Sequence, residues 1–319
     1  MYRNYIDKLV WYIPFKKLRD LIRNILLEYF YKLEFVNEHI ALLDFRLRVR
    51  NSISQLPKNI VKETRNPRLI VTLTSYPERM ETIDVVLYSL LDQTLKPDKI
   101  VLWLSYEEFP NLEDDVPSNI LDMKKYGIEI EFCHNIRSYK KLVYSLKKYP
   151  NDLLVTCDDD IYYQRNWLKL LYNSYLENPN VIHCHRGLRI SYDNNHKISR
   201  YLDWNIIKNI DDENIFYKNF FTAGAGIICK KDFFYEDIFN EELFMRLSPT
   251  EDDMWFWAMA VLNGTKINVV KNNMADLKIV SLYNYSNLCE QNVHVNNKIF
   301  ADILDYYGDK LKDKIFNDN

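Results

Sequence analysis

Glycine is rationed in this chain, at 6 residues of 319. The phosphate-binding loop GxxxxGK followed by Ser or Thr does not occur, which excludes nucleotide binding of that kind. No two cysteines stand in a CxxC spacing. The five are Cys133, Cys157, Cys184, Cys229 and Cys289. Their number is odd and most lie in apolar, strand-like runs, which fits free thiols in a reducing cytoplasm better than a disulfide framework. No sign of charge dominates: 42 Lys and Arg stand against 45 Asp and Glu, for a formal net charge of -3. A nucleic-acid partner therefore has no electrostatic footprint here. Long apolar runs are missing as well. Charges interrupt each candidate before it reaches the length of a membrane span, and no cleavable signal is evident. The chain is expected in the cytoplasm, with peripheral contact to the inner face of the cell membrane as its closest approach to a bilayer.

What the chain has in abundance is aromatic side chains with polar handles. Tyrosine alone accounts for 24 residues, which suits a protein that binds sugars or rings. The length allows one large domain with an appendage. Residues 1–66 read as the appendage. Pro14 suits a first helical turn. After it, apolar residues recur at steps of three and four, through Leu18, Ile22, Ile25, Tyr29, Val36 and Ile40 to Leu47, as one face of a long helix. Lys16, Lys17, Arg19 and Arg23 cluster on its polar side near the start, behind Trp11 and Tyr12. Such a helix can lie on an anionic membrane surface. Equally, its stripe can pack on the main domain or on a second copy as a homo-oligomer. Residues 56–67, with two prolines and mixed charge, read as a linker.

From residue 67 to 319 strands and helices alternate. Residues 69–73, 99–105, 128–135 and 153–157 read as strands, and residues 81–93 and 138–150 as helices. This pattern predicts an α/β fold with a mainly parallel sheet sandwiched by helices. Ligands of such sheets bind beyond the carboxyl ends of the strands. TSYPER (74–79), HNIR (134–137) and CDDD (157–160) all fall there.

The CDDD stretch is the sharpest chemical signal. Strand alternation puts Asp158 and Asp160 on one side and Asp159 on the other. Two carboxylates on one side of a strand end can hold magnesium or manganese, with substrate phosphates completing the shell. A solvated acidic turn is the plainer alternative. Three adjacent like charges, however, cost energy without a cation or partner. Further on, His183 and His185 share one side of a strand. They lack the additional ligands of a zinc site and read as hydrogen-bonded strand residues. Residues 191–218 are polar and read as a long surface excursion or lid.

FFTAGAGIICKK puts Gly224 and Gly226 into one turn, where glycine lets backbone approach a ligand closely or simply makes a tight bend. PTEDDMWFWAMAVLNG, residues 249–264, reads as a helix with Thr250 as its cap, Asp253 completing a capping box and Gly264 at the stop. Acids at a helix N-terminus are favoured on structural grounds alone. In the functional reading one of them is a general base. Capping would occupy Asp253 and leave Asp252 free. His294, in the C-terminal segment, is a further candidate metal ligand. A short amphipathic helix over residues 297–307 closes the pattern.

TSYPER, then a strand-end DDD, then a GAG turn, then a TEDD helix resembles the nucleotide-sugar glycosyltransferases of the GT-A fold. Within these the chain looks like the bacterial family-2-like enzymes of capsule and lipopolysaccharide assembly. The similarity covers about residues 67–270. It implies a GT-A type sheet and transfer of a hexose or related sugar from a nucleoside-diphosphate sugar, foremost a UDP-sugar, to a glycan or lipid-linked acceptor. It also implies Mn2+ or Mg2+ as cofactor. By the same resemblance Asp158 sits near the ribose and phosphates, and Asp160 binds the metal bridging the diphosphate. Thr74, Tyr76 and Arg79 match the nucleotide-binding loop. Asn135 stands at a strand end where the family often has an acid contacting the base, and Lys141 lies where a basic residue can approach the nucleotide. Asp252 matches the base of inverting members. Two other readings use the same residues: a metal-dependent phosphoryl transferase or nuclease, and a non-catalytic membrane-associated scaffold.

Overall fold

The structure is a computed structural model. It describes residues 2–193, 197–208, 214–280 and 285–318, without the side chains of residues 2–4 and 285–294. Two compact units divide the chain, Met1–Ser54 and Gln55–Asn319.

The first unit is a helical hairpin of α1 (Tyr2–Val10) and α2 (Lys16–Ile53). The break falls at residues 11–15. Pro14 has no N–H to donate and biases its predecessor toward extended backbone. Phe15 is extended in turn (φ -90, ψ 112) and α2 starts after it. Pro14 therefore precedes the long helix instead of opening its first turn. Arg23 Nε lies 2.6 Å from Asp7 Oδ1 and ties the two helices together.

In the second unit the expected alternation appears in order: β1 (Leu69–Thr74), α3 (Ile83–Leu91), β2 (Lys99–Ser105), the short α4 (Ser118–Leu121), β3 (Ile128–Cys133), α5 (Lys140–Lys148), β4 (Leu153–Thr156), β5 (Ile161–Tyr162) and α6 (Trp167–Glu177). Then come β6 (Ile182–Cys184), β7 (Gly187–Arg189), β8 (Asn205–Ile207), β9 (Ile215–Phe216), β10 (Asn219–Phe221) and β11 (Ile227–Cys229). The chain continues through α7 (Glu241–Leu247), α8 (Asp252–Leu262), β12 (Ile267–Val269), β13 (Lys278–Ile279), α9 (Tyr285–Tyr307) and α10 (Asp309–Phe316).

Eight strands form the central sheet in the order β3-β2-β1-β4-β11-β6-β12-β9. The first four are mutually parallel, β11 runs against both its neighbours, and β9 runs against β12. The fold is the expected mixed α/β arrangement with a mostly parallel sheet flanked by helices. Its strands read as apolar runs because both faces are covered; in β1 every residue but Thr74 is buried. After Asp252 and Asp253, helix α8 is apolar all round, with Trp255, Phe256 and Trp257 fully buried in the core, as a helix enclosed on every side must be.

Three expectations need amendment. Residues 56–67 are not a free linker. Thr64 and Arg65 donate to the Asp98 carboxylate, and Asn59 N bonds to Lys125 O. These residues belong to the second unit. The excursion at residues 191–218 carries structure of its own: β8, β9 and the buried Trp204. Residues 194–196 and 209–213 of it lie outside the described residues. The C-terminal helix is longer than its amphipathic end suggests, beginning at Tyr285. The four described cysteines are free and buried.

His183 and His185 face α6 as hydrogen-bonded residues. His183 contacts Ser174 Oγ at 2.7 Å and Asn178 O at 2.8 Å. His185 Nε2 donates to Trp167 O at 2.9 Å, and Nδ1 accepts from Met274 N at 3.2 Å. Burial lowers both rings to a pKa of about 4. Unfolded, they titrate near 6.5, so their contribution is present above that pH and is lost as pH falls toward 4. In a His183→Gln variant the fall of stability between pH 6.5 and 4.5 should be shallower than in the parent by about 1 kcal/mol per pH unit. Paired denaturation curves, in which the other groups cancel, check it. Identical slopes would show that His183 does not carry the term.

Candidate active site

The loops beyond the carboxyl ends of β1, β3 and β4 meet the N-terminus of α8 around a cleft of about 570 Å³. Thr74, Tyr76, Arg79, Asn135, Lys141, Asp158, Asp160, Asp252 and Asp253 all line it. Residues far apart in sequence thus converge on one volume.

At its centre is Lys141, on α5 and almost fully buried. Its Nζ donates to Asp158 Oδ1 at 2.7 Å and lies 3.1 Å from Asp252 Oδ2. Burial alone would lower the Lys141 pKa; the charges of Asp158 and Asp252 reverse this and hold it well above its ordinary value. One buried ammonium thus bridges the β4 acid and the α8 acid. Across the cleft Arg79 lies 3.2 Å from Asp160 Oδ2 and donates from Nε to the Tyr76 hydroxyl at 3.1 Å.

Strand alternation does not extend through the three acids. β4 ends at Thr156, so they lie in a turn and each has its own partner. Asp158 goes to Lys141, Asp160 to Arg79, and Asp159 Oδ2 accepts from Ser75 Oγ at 2.6 Å. Burial pushes Asp159 up to about 7, and burial with the Asp158 charge raises Asp160. On α8, burial and the Asp252 charge push Glu251 up to about 7 and raise Asp253 well above the usual carboxylate range.

The capping box expected on α8 does not form. Glu251 is the N-cap and no side chain caps the helix. Asp253 Oδ1 instead accepts from Ala223 N at 2.9 Å, tying α8 to the glycine turn. Three other groups hold that turn: Thr156 Oγ1 donates to Ala223 O, Tyr163 Oη to Gly224 O and Trp167 Nε1 to Ala225 O. Gly224 and Gly226 do not line the cleft. Their lack of a side chain serves packing. A Cβ on Gly224 would lie 1.8 Å from Asp158 Oδ2, and one on Gly226, at φ +110, 2.6 Å from the Trp167 indole. Gly224→Ala should therefore cost about 1–3 kcal/mol through overpacking. Adding Asp158→Ala should recover most of that loss in a melting curve. A single variant as stable as its parent, or a double variant that recovers nothing, would contradict the clash.

Seven carboxylates and four cationic side chains line the cleft. Hard oxygen donors on Asp158 and Asp160 at this position suit a divalent cation. No group of three or more potential ligands for a metal occurs among the described residues. The His294 side chain lies outside the described residues.

No family model and no curated protein matches the sequence. Several solved structures resemble it in arrangement. One is S. aureus TarS 1-349, also solved with UDP-GlcNAc, at 16% identity and TM-score 0.41, covering 66% of this chain and 59% of that one. Another is the mannosyltransferase PcManGT from Pyrobaculum calidifontis in complex with GDP-Man and Mn2+, at 13% identity and TM-score 0.47, covering 86% and 74%. A third is the 4-diphosphocytidyl-2C-methyl-D-erythritol synthase from Anaerococcus prevotii, at 14% identity and TM-score 0.43, covering 72% and 97%. The chain thus spans less than two thirds of the first of these. Likeness at this level says nothing of substrate.

Sequence reasoning passed over several residues of the cleft. Arg137 donates from Nη1 to Pro249 O, and Lys140 Nζ bonds to Glu108 and to Asn135 Oδ1. Asn135 Oδ1 also accepts from Arg137 N. Arg137 stood in the HNIR motif; Glu108, after β2, had no such signal. Tyr163, whose hydroxyl accepts from Asp158 N at 2.7 Å, braces the acidic turn.

Proposed function

We propose that this chain is a metal-dependent glycosyltransferase. It moves a sugar from a nucleoside-diphosphate sugar, a UDP-sugar foremost, to a hydroxyl of a glycan or lipid-linked acceptor, with inversion, in bacterial surface polysaccharide synthesis. The observation that carries this reading is the Lys141 bridge between Asp158 and Asp252. It brings the acids suited to a diphosphate next to an acid suited to deprotonate a hydroxyl.

Each residue has a task in this scheme. Asp158 and Asp160 would hold Mn2+ or Mg2+, which when bound neutralises the diphosphate leaving group. Thr74, Tyr76 and Arg79, on the loop after β1, would hold the nucleotide, with Asn135 beside them at the end of β3. Asp252 would accept the proton of the attacking hydroxyl. Lys141 keeps a positive charge 3.1 Å from Asp252 and so would help to orient its carboxylate. The cleft lies at the carboxyl edge of a mostly parallel sheet, the usual ligand position in such folds.

The test is a screen of nucleotide-sugars with and without Mn2+, scored by release of free nucleoside diphosphate and by melting temperature. Donor and metal together should stabilise the protein, by about 2.7 kcal/mol at 100 times the dissociation constant. Asp160→Asn should abolish the metal-dependent part of that shift and lower turnover by roughly 100- to 1000-fold. Phosphoryl transfer without sugar transfer would sink the reading, as would donor binding without any turnover. Metal-dependent binding unchanged in folded Asp160→Asn would remove Asp160 from the metal site.

A further inference from the structure

We propose that the elbow between α1 and α2 is a docking site for an anionic membrane surface. Of the 25 large apolar side chains left exposed among the described residues, 16 lie between Tyr5 and Leu47, in the first unit. The elbow is its most exposed part. Trp11, Tyr12 and Phe15 are 71%, 81% and 71% exposed, and the Trp11 and Tyr12 rings meet edge to face. Exposed apolar patches of this kind mark interaction surfaces, and Trp and Tyr with polar handles suit a membrane–water interface.

Charge identifies the occupant. Residues 1–23 hold six Lys and Arg against two Asp, within a chain of net charge -3. Of the basic groups Arg23 is paired with Asp7. Lys8, Lys16, Lys17 and Arg19 have no carboxylate partner among the described residues, and all but Arg19 are exposed. From residue 24 to 54 the charges balance, four Lys and Arg against four Asp and Glu. The positive field is therefore local to the aromatic elbow. Two copies meeting symmetrically at this elbow would bring like charges together. An anionic bilayer instead takes the rings into its interface while the long basic side chains reach the headgroups. Among the described residues no helix is long and apolar enough to cross a membrane, so the contact is with the surface.

The experiment is sedimentation of the full chain with vesicles of equal parts phosphatidylglycerol and phosphatidylcholine, compared with pure phosphatidylcholine. The protein should pellet with the anionic vesicles only and be released when salt rises to about 0.5 M, where screening is strong. Two variants probe the two halves of the elbow. One carries Trp11→Ser, Tyr12→Ser and Phe15→Ser; the other carries Lys16→Glu, Lys17→Glu and Arg19→Glu. The charge variant should bind at least on the order of 100-fold more weakly, since each basic residue near the surface contributes several-fold. The aromatic variant should stay in the supernatant with its helix content intact. Parent-like binding by either variant would overturn the proposal, as would no binding by the parent. A parent dimer in light scattering that the aromatic variant converts to monomer, without vesicle binding, would make the elbow a self-contact and overturn it as well.

Discussion

Asp252→Asn should leave metal and donor binding nearly intact and lower sugar transfer by roughly 100- to 10,000-fold, the range associated with removing a general base. The substitution keeps size and hydrogen-bonding shape but removes the basic carboxylate. Asp252 is the α8 acid that both lines the cleft and lies 3.1 Å from the Lys141 ammonium, and its Oδ2 has no hydrogen-bond partner among the described residues. Asp253 supplies the control. It holds Ala223 N at the base of the glycine turn. Asp253→Ala leaves that buried N–H unpaired and should cost about 1–3 kcal/mol of stability. Turnover assays, donor titrations and melting curves on both variants separate the roles. Normal transfer by Asp252→Asn, with an inactive but stable Asp253→Ala, would reverse the assignment.

The sequence suggests the same proposed division of labour, but for a different reason. Thr250 and Asp253 match a capping box, and the cap would have occupied Asp253. The helix starts later than that pattern implies, at Asp252, and a distant backbone N–H takes the Asp253 carboxylate instead. A local motif was outcompeted by a contact with a residue 30 positions away. Similarly, the apolar–acidic pattern of LLVTCDDD placed the acids at a strand end correctly. Alternation could not say where the strand stops, so the sides of Asp158 and Asp160 were not legible. Each acid is oriented by its own partner: Lys141 from α5, Arg79 and Ser75 from the loop after β1. The parallel sheet was legible because buried strands are apolar throughout and helices between them keep their own period. The glycines marked a special turn, and the close approach they allow is to Asp158 and Trp167.

Lys141→Met should damage stability and rate together. Removing one partner of a buried ion pair commonly costs about 3–5 kcal/mol because the other charge stays buried and unpaired. Here two carboxylates lose their shared cation. Asp252 is enclosed, its side chain 11% exposed, whereas the Asp158 side chain is 39% exposed and partly reaches water. The expected loss is therefore near the low end, about 3 kcal/mol. Turnover should fall as well, because the ammonium that holds Asp158 and approaches Asp252 is gone. The decisive comparison adds Asp252→Asn to Lys141→Met. If Lys141 serves to compensate buried negative charge, neutralising Asp252 should restore part of the stability, and the two losses should fail to add, as expected for residues in contact. Melting or denaturant curves on the two single variants and the double variant complete the cycle. Strict additivity would mean that the 3.1 Å approach of Lys141 to Asp252 contributes nothing, and would leave Lys141 as a partner of Asp158 alone.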